Sequence, residues 1–354
     1  MALLFIDSFD HYEWASQDDK WTTINRVTGA PSSIGPLVGR RDTSALIFNA
    51  NATIAHASKT FCVQRQTVYA GFAIKVWRYG ANVRQGFFGF MHVNNYQMDL
   101  ALNGDGTIDI WRGQEQIGTF LGRTNCPLHQ GCWYYLEARD TVSSNVNTGY
   151  IEIRINGLTE FTYSGDTFNT DANSERINRI VVGREDTVIS DEHQFYMDDL
   201  YSLDDTGSQN NNFLGDMRVE TLFVNSDGAT IQWAVSTTGA NYQMLDETIP
   251  NSDQDYTTTS SPGQRDTMHM TGLSVNSAYI YGVQTLVSAR KDNGGDRTIR
   301  SMITTNGSTY VGSNFAINMD YQYWQQIYDT NPIQATSWTI ADVNSFQVGY
   351  ELVS

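Results

Sequence analysis

The 354-residue chain has little cysteine and little positive charge. Its three cysteines, Cys62, Cys126 and Cys132, are an odd number in a long chain. They read as reduced thiols of a protein folded in a cytoplasm, with a Cys126–Cys132 loop disulfide as the alternative. A zinc site lacks a fourth ligand at a suitable spacing. Lys and Arg number 22 against 39 Asp and Glu, a formal charge of −17, which argues against nucleic acid and anionic membranes as partners. No apolar run approaches the about 18 residues of a membrane span. The opening MALLFIDSF turns acidic too soon for a secretion signal. No stretch of about ten residues or more has a convincing helical period. Six histidines are scattered without paired ligand spacing, and neither a GxSxG elbow nor a GxxxxGK loop occurs.

What the chain does have is alternation. In Trp133–Leu158, Ile151, Ile153 and Ile155 alternate with Glu152, Arg154 and Asn156. Side chains in a strand point to opposite faces in turn, so the isoleucines face a core and the polar groups face away. Tyr134, Leu136 and Ala138 share one side of the preceding strand, with Trp133, Tyr135 and Glu137 on the other. Asn156-Gly157 is a turn tolerant of positive φ. Val68, Ala70, Phe72, Ile74 and Val76 likewise share a face. Further strands are predicted at Leu3–Ile6, Ser44–Phe48, Gly86–Val93, Asn178–Gly183 and Gln194–Leu203, with a hairpin turn at Asn103-Gly104-Asp105-Gly106. That last run only partly imitates a calcium loop, because no later bidentate Glu follows. Short strands at short spacing are the mark of a sandwich or jelly roll.

Asp204–Asn212 has no large apolar residue and reads as a linker. It divides the chain into residues 1–206 and a smaller all-β domain, residues 207–354. In the latter, Thr339 with Asp342 three residues on matches a weak capping box for one short helix, Thr339–Phe346. The final strand, Ser345–Leu352, overlaps that helix, so one of the two boundaries is wrong.

Four runs carry a resemblance: FIDSFDHY (Phe5–Tyr12), WYYLEA (Trp133–Ala138), GYIEIRING (Gly149–Gly157) and FYMDDLYSLDDTGS (Phe195–Ser208). Together they resemble the concanavalin A-like, laminin-G-like domains of tailed-bacteriophage virion proteins. NNFLGDMRVETLFVNSDG (Asn211–Gly228) resembles phage structural proteins in which that sandwich is fused to a second β domain. The resemblance implies an all-β protein: an N-terminal concanavalin A-like jelly roll plus a smaller C-terminal β-sandwich. It implies a virion part on the particle exterior, in the tail or on the capsid; the chain is expected to be non-enzymatic, made in the host cytoplasm, tail- or fibre-associated and serving attachment. A capsid or neck decoration protein is one alternative, and a glycan depolymerase another. Other virion proteins, further copies of the chain and a host-surface glycan are the expected partners.

Glucanases that share this fold carry Glu-x-Asp-x-(x)-Glu on one strand face, and no such run exists here. The nearest, Met197-Asp198-Asp199-Leu200 with Asp204-Asp205 beyond, places adjacent aspartates on opposite faces of a strand. No catalytic residue and no cofactor is therefore expected, and calcium at Asp198 or Asp204 is the metal alternative. Trp77, Tyr79, Phe87, Phe88, Phe90, Tyr96 and Trp111 cluster, half of them core by alternation; for the rest the readings are stacking on sugar rings and plain packing or subunit contact. Tyr321, Tyr323, Trp324 and Tyr328 are the candidate protein–protein contact, with ordinary core as the alternative.

Overall fold

The computed structural model describes residues 2–13, 20–26, 33–48, 55–80, 83–184, 193–305 and 307–354. It is nearly all-β and divides into two compact units, Ala2–Val219 and Glu220–Ser354. The division falls beyond Asp204–Asn212, because the segment that follows Asn212 packs on the first unit. Residues 14–19, where the sequence has Trp14 and the adjacent acidic residues Asp18 and Asp19, lie outside the described residues. Among the described residues no helix is long and apolar enough to cross a membrane.

The first unit is a jelly-roll sandwich of two antiparallel sheets. The seven-stranded sheet runs Thr119–Arg123, Ile108–Arg112, Asn95–Asn103, Arg84–His92, Ile177–Arg184, Ala55–Arg65, Thr23–Arg26. The eight-stranded sheet runs Leu158–Ser164, Tyr150–Ile155, Trp133–Thr141, Thr67–Arg78, Gln194–Asp204, Ala45–Phe48, Ser33–Gly35, with Leu3–Asp7 also paired to Gln194–Asp204. Between them lies the core. Val68, Ala70, Phe72, Ile74 and Val76 are fully buried, and the Phe72 ring meets Phe88 of the other sheet at 4.9 Å. Ile151 and Ile153 are fully buried and Ile155 nearly so. Each such side chain contributes about 1.5–3 kcal/mol by leaving water. Asn156 (φ 51°) and Gly157 (φ 79°) both take positive φ, as a two-residue hairpin turn requires.

The central strand Thr67–Arg78 is buried on both faces: Tyr69 and Ala73, on the side away from the second sheet, are also covered. A strand with one wet face would not need this, so something lies over it.

The second unit pairs Val224–Ile231, Arg265–Met270, Gln347–Leu352, Thr298–Thr305 and Ser308–Val311 in one sheet, with Phe315–Ala316 beside Thr298–Thr305. A separate ladder joins Val283–Ala289 to Gln322–Tyr328. Ile303, Tyr328, Trp338, Val343 and Phe346 form a core cluster. The helix is Ile340–Ser345: Thr339 Oγ1 accepts from Asp342 N at 3.1 Å, and Asp342 accepts from Thr339 N at 2.9 Å. The strand begins at Gln347, which settles the overlap.

Candidate functional site

Residues paired directly across neighbouring strands share a face, so register alone assembles the outer face of the eight-stranded sheet. One row is Trp133, Lys75, Tyr196. The next is Tyr135, Ala73, Asp198; then Arg154, Glu137, Gly71, Tyr201; then Glu152, Arg139, Tyr69. At the open end, Trp77 is 51% exposed and stacks on Tyr196 at 6.1 Å. The Lys75 ammonium sits 4.8 Å from the Trp133 ring and 4.9 Å from the Tyr196 ring. This is a platform of three aromatic rings, two of them flanking one cation.

The middle of the face is drier. Gly71 has no side chain, and a Cβ there would stand 2.3 Å from the Tyr201 ring. Tyr201 donates to Glu137 Oε1 at 2.6 Å. Tyr135 stacks on Tyr201 at 6.5 Å and donates to the Asp199 carbonyl at 3.0 Å. The Arg40 guanidinium stands over Tyr135 at 5.5 Å. Burial, then Glu137, pushes the Tyr201 phenol well above its ordinary range; burial, then Tyr201, does the same to Tyr135. Both stay protonated and act as donors. Glu137 is 1% exposed and its Oε2 has no hydrogen-bond partner.

Asp198 and Asp199 do not behave as alternating strand residues. Asp199 takes φ 51° and the register shifts between Asp198 and Tyr201, a β-bulge. Both carboxylates then turn toward the same loop: Asp198 accepts from Arg40 N at 2.7 Å, and Asp199 lies 3.5 Å from the Arg40 guanidinium. Burial, then the neighbouring Asp199, pushes Asp198 up to about 8.

Across this centre runs the chain's own segment Phe213–Val219. Phe213 packs edge-on against Tyr69 at 5.1 Å, with Arg154 4.1 Å from its ring. Leu214 N–H donates to Tyr201 Oη (3.2 Å), Gly215 N–H to Glu137 (2.8 Å) and Val219 N–H to Asp199 (2.7 Å). Asp216 and Arg40 form a two-pronged ion pair, each contact 2.5 Å. This strap and the Tyr201 ring cover the Tyr69 and Gly71 positions on the second face of Thr67–Arg78.

The residues singled out in the sequence fall elsewhere in part. Of the seven aromatics from Trp77 to Trp111, Phe87, Phe88 and Phe90 are fully buried, Tyr96 and Trp111 are buried, and Tyr79 donates to the Leu128 carbonyl. Trp77 is the exposed one, and its companions Trp133 and Tyr196 come from other strands. Asp204 accepts from Arg65 and from Thr206, and Asp198 from backbone N–H groups, so their oxygens are engaged within the protein. Among the described residues no three His, Cys, Asp or Glu side chains converge as metal ligands. The three cysteines are free. Tyr321, Tyr323, Trp324 and Tyr328 do not share one surface. Tyr328 is in the core cluster, Trp324 stacks on Phe315 at 5.5 Å, and Tyr321 donates to Asp253 at 2.9 Å. Tyr323 pairs with Ser288 and is half-buried. A separate polar cleft of about 220 Å³ lies by Asn95, Arg112, Ile117, Asp166, Asn169 and Thr170, where Arg112 and Asp166 neutralise each other.

No protein-family model matches the chain, and no curated protein does. Solved structures do resemble it in fold. A sialidase is 14% identical over 56% of this chain and 18% of its own, with a TM-score of 0.41. The alginate lyase Aly36B is 11% identical over 55% of this chain and 95% of its own, TM-score 0.39. The carbohydrate-binding module CBM66 from Bacillus subtilis is 6% identical over 49% and 92%, TM-score 0.33. At these values the likeness concerns the jelly roll and says nothing about which side chains act. The expectation of a non-enzymatic virion part, and with it the expectation that the chain is no enzyme, is corrected here. The three structures named above are, by name, two carbohydrate-processing proteins and a carbohydrate-binding module, none of them a tail or capsid component.

Proposed function

We propose that the first unit is a glycan depolymerase working on the outer face of the eight-stranded sheet. The observation that carries this reading is the Tyr201–Glu137 pair, a phenol donating a hydrogen bond to a carboxylate at 2.6 Å in a buried site. Breaking a glycosidic bond needs a proton acceptor and a proton donor on the reacting atoms. Glu137 is the acceptor, and its Oε2 is uncommitted. Tyr201 is the donor, held protonated by burial and by Glu137. The Trp77, Trp133 and Tyr196 platform offers flat faces for sugar rings further along the same groove. The runs that resemble phage virion proteins extend the proposal: the substrate would be a host-surface polysaccharide, met by several copies of the chain on the particle exterior.

The test is product formation. The full chain is incubated with a panel of neutral and acidic polysaccharides, and chain length is followed by size-exclusion chromatography. Shortening of one polysaccharide, lost by about 10²–10⁴-fold in Glu137→Gln, supports the reading. Shortening that Glu137→Gln leaves intact, or none with any of the panel, overturns it.

A further inference from the structure

We propose that Phe213–Val219 is an internal occupant of this groove, seated where a carboxylate-bearing glycan binds, and that such a glycan displaces it. The inference deepens the proposed function and rests on it for the location of the groove.

Three observations point to a displaceable stand-in. The first is the chemistry of its contacts. The Asp216 carboxylate is clamped by both terminal nitrogens of Arg40, the two-pronged geometry with which a guanidinium takes any carboxylate. Leu214 and Gly215 N–H groups approach Tyr201 and Glu137 as sugar hydroxyls would. Phe213 lies against Tyr69 beneath Arg154. The second is incompleteness. The strap leaves Glu137 Oε2 buried and unpartnered, whereas a hydroxyl-rich ligand can serve both oxygens. The third is the strap's own build. It forms no strand or helix, its Gly215 takes φ 83° with open space around the Cα, and the Asp216 side chain is 51% exposed. It is held by a few contacts rather than by a ladder, the mark of a segment that opens at low cost.

Charge fixes the ligand class. With the strap lifted, Arg40 loses its Asp216 partner, and Arg41, Arg139, Arg154 and Lys75 stand on or beside the same face. Glu137, Glu152 and Asp199 oppose them, with Asp10 and Asp205 close by, and burial raises Asp198 above the usual carboxylate range. Within a chain of net charge −17 this is a local seat for an anion. A planar carboxylate on a sugar ring satisfies Arg40 and leaves the ring's hydroxyls for Glu137 and Tyr201.

Isothermal titration calorimetry of the full chain with a hexameric oligogalacturonate and its carboxyl-reduced neutral counterpart tests this. Asp216→Asn and Phe213→Ala, with melting temperature checked for each, should bind the oligogalacturonate about 10-fold or more tighter than the parent, since a site closed most of the time binds weaker in proportion. Arg40→Ala should lose that affinity, and the neutral hexamer should bind no tighter to Asp216→Asn than to the parent. Limited proteolysis should show the acidic hexamer speeding cleavage within residues 209–219. Unchanged or weaker affinity in both strap variants, equal gain for the neutral hexamer, or protection of the strap by ligand would each overturn the inference. Tighter binding without any product would leave the strap intact as an idea while ending the depolymerase reading; cleavage that Asp216→Asn does not alter would do the reverse.

Discussion

Tyr201 reaches across the central strand to give its phenolic hydrogen to Glu137 at 2.6 Å, over a glycine, Gly71, that has no side chain to stop it. Glu137 therefore depends on two donors, Tyr201 and the Gly215 N–H, for one oxygen. Tyr201→Phe removes one of them from a buried carboxylate. Hydrogen bonds to charged groups are worth about 1.5–3 kcal/mol, and the loss should fall in that range in urea unfolding. Adding Glu137→Leu to Tyr201→Phe should recover part of it, because the stranded acceptor is gone.

How much of this face was legible depended on how local the signal was. Ile151, Ile153 and Ile155 announced their strand because period two is written in adjacent residues. The same alternation put Trp133, Tyr135 and Glu137 on one side. It could not say that Lys75, Tyr196 and Tyr201 would join them, since strand order is set by packing far along the chain. Asp198 and Asp199 misled for a physical reason: the alternation rule assumes extended backbone, and Asp199 at φ 51° leaves it. The strap was hidden by its neighbours. Asp204–Asn212 is polar enough to read as linker, while Phe213, which anchors the strap on Tyr69, comes just after it.

Asp140 gives a pH dependence. It pairs with Val68 and Ile151, so it points between the sheets; it is fully buried and neither oxygen has a partner. Burial raises it well above the carboxylate range. Its folded pKa exceeds its unfolded one, so the folded state keeps a proton that the unfolded state has released. Asp140's contribution to stability is then greatest below the unfolded value of 3.8 and falls as pH rises toward the folded pKa, by about 1.4 kcal/mol per pH unit. Asp10, raised to about 6, and Asp198, raised to about 8, act with the same sign. Asp140→Asn should flatten the decline between pH 4 and 8 and melt higher than the parent at pH 8, read by calorimetry across that range. A parallel pair of curves would disprove it.

A second buried cluster predicts a loss rather than a gain. Lys20 and Asp7 form an ion pair at 3.0 Å, both side chains 1% exposed or less, and Asp7 also accepts from Tyr12 at 2.6 Å and Trp21 at 3.0 Å. Burial drives His11, 3.2 Å from the Lys20 ammonium, down to about 3, so it stays neutral. Lys20→Met leaves Asp7 buried without its cation and should cost about 3–5 kcal/mol. Asp7→Leu added to it should cost less than the sum of the two single changes, in a chemical denaturation cycle.

Trp77→Ala separates recognition from folding. The ring is half exposed and its main contact is Tyr196. Stability should fall by no more than about 0.5–1.5 kcal/mol, the worth of an aromatic pair. Retention on a gel containing the substrate polysaccharide should drop several-fold, because the platform loses its outermost face. Unchanged retention would remove Trp77 from the groove.

Gly71 offers the sharpest test of the Tyr201 geometry. A methyl at this position would stand 2.3 Å from Cε1 and 2.7 Å from Cζ of the Tyr201 ring, closer than carbon atoms approach. The strand is hydrogen-bonded on both sides and cannot shift away, so the ring must move. Gly71→Ala should therefore break the Tyr201–Glu137 bond from beneath, at a cost of about 1–3 kcal/mol for overpacking in addition to the lost bond. Tyr201→Phe keeps the ring and should not relieve the clash. Tyr201→Ala removes the ring, so Gly71→Ala in that background should cost almost nothing, or gain slightly, since alanine orders a strand at less entropic cost than glycine. A Gly71→Ala penalty that stays the same in the Tyr201→Ala background would mean the ring does not lie over Gly71, and the placement of the acid–base pair would fall with it.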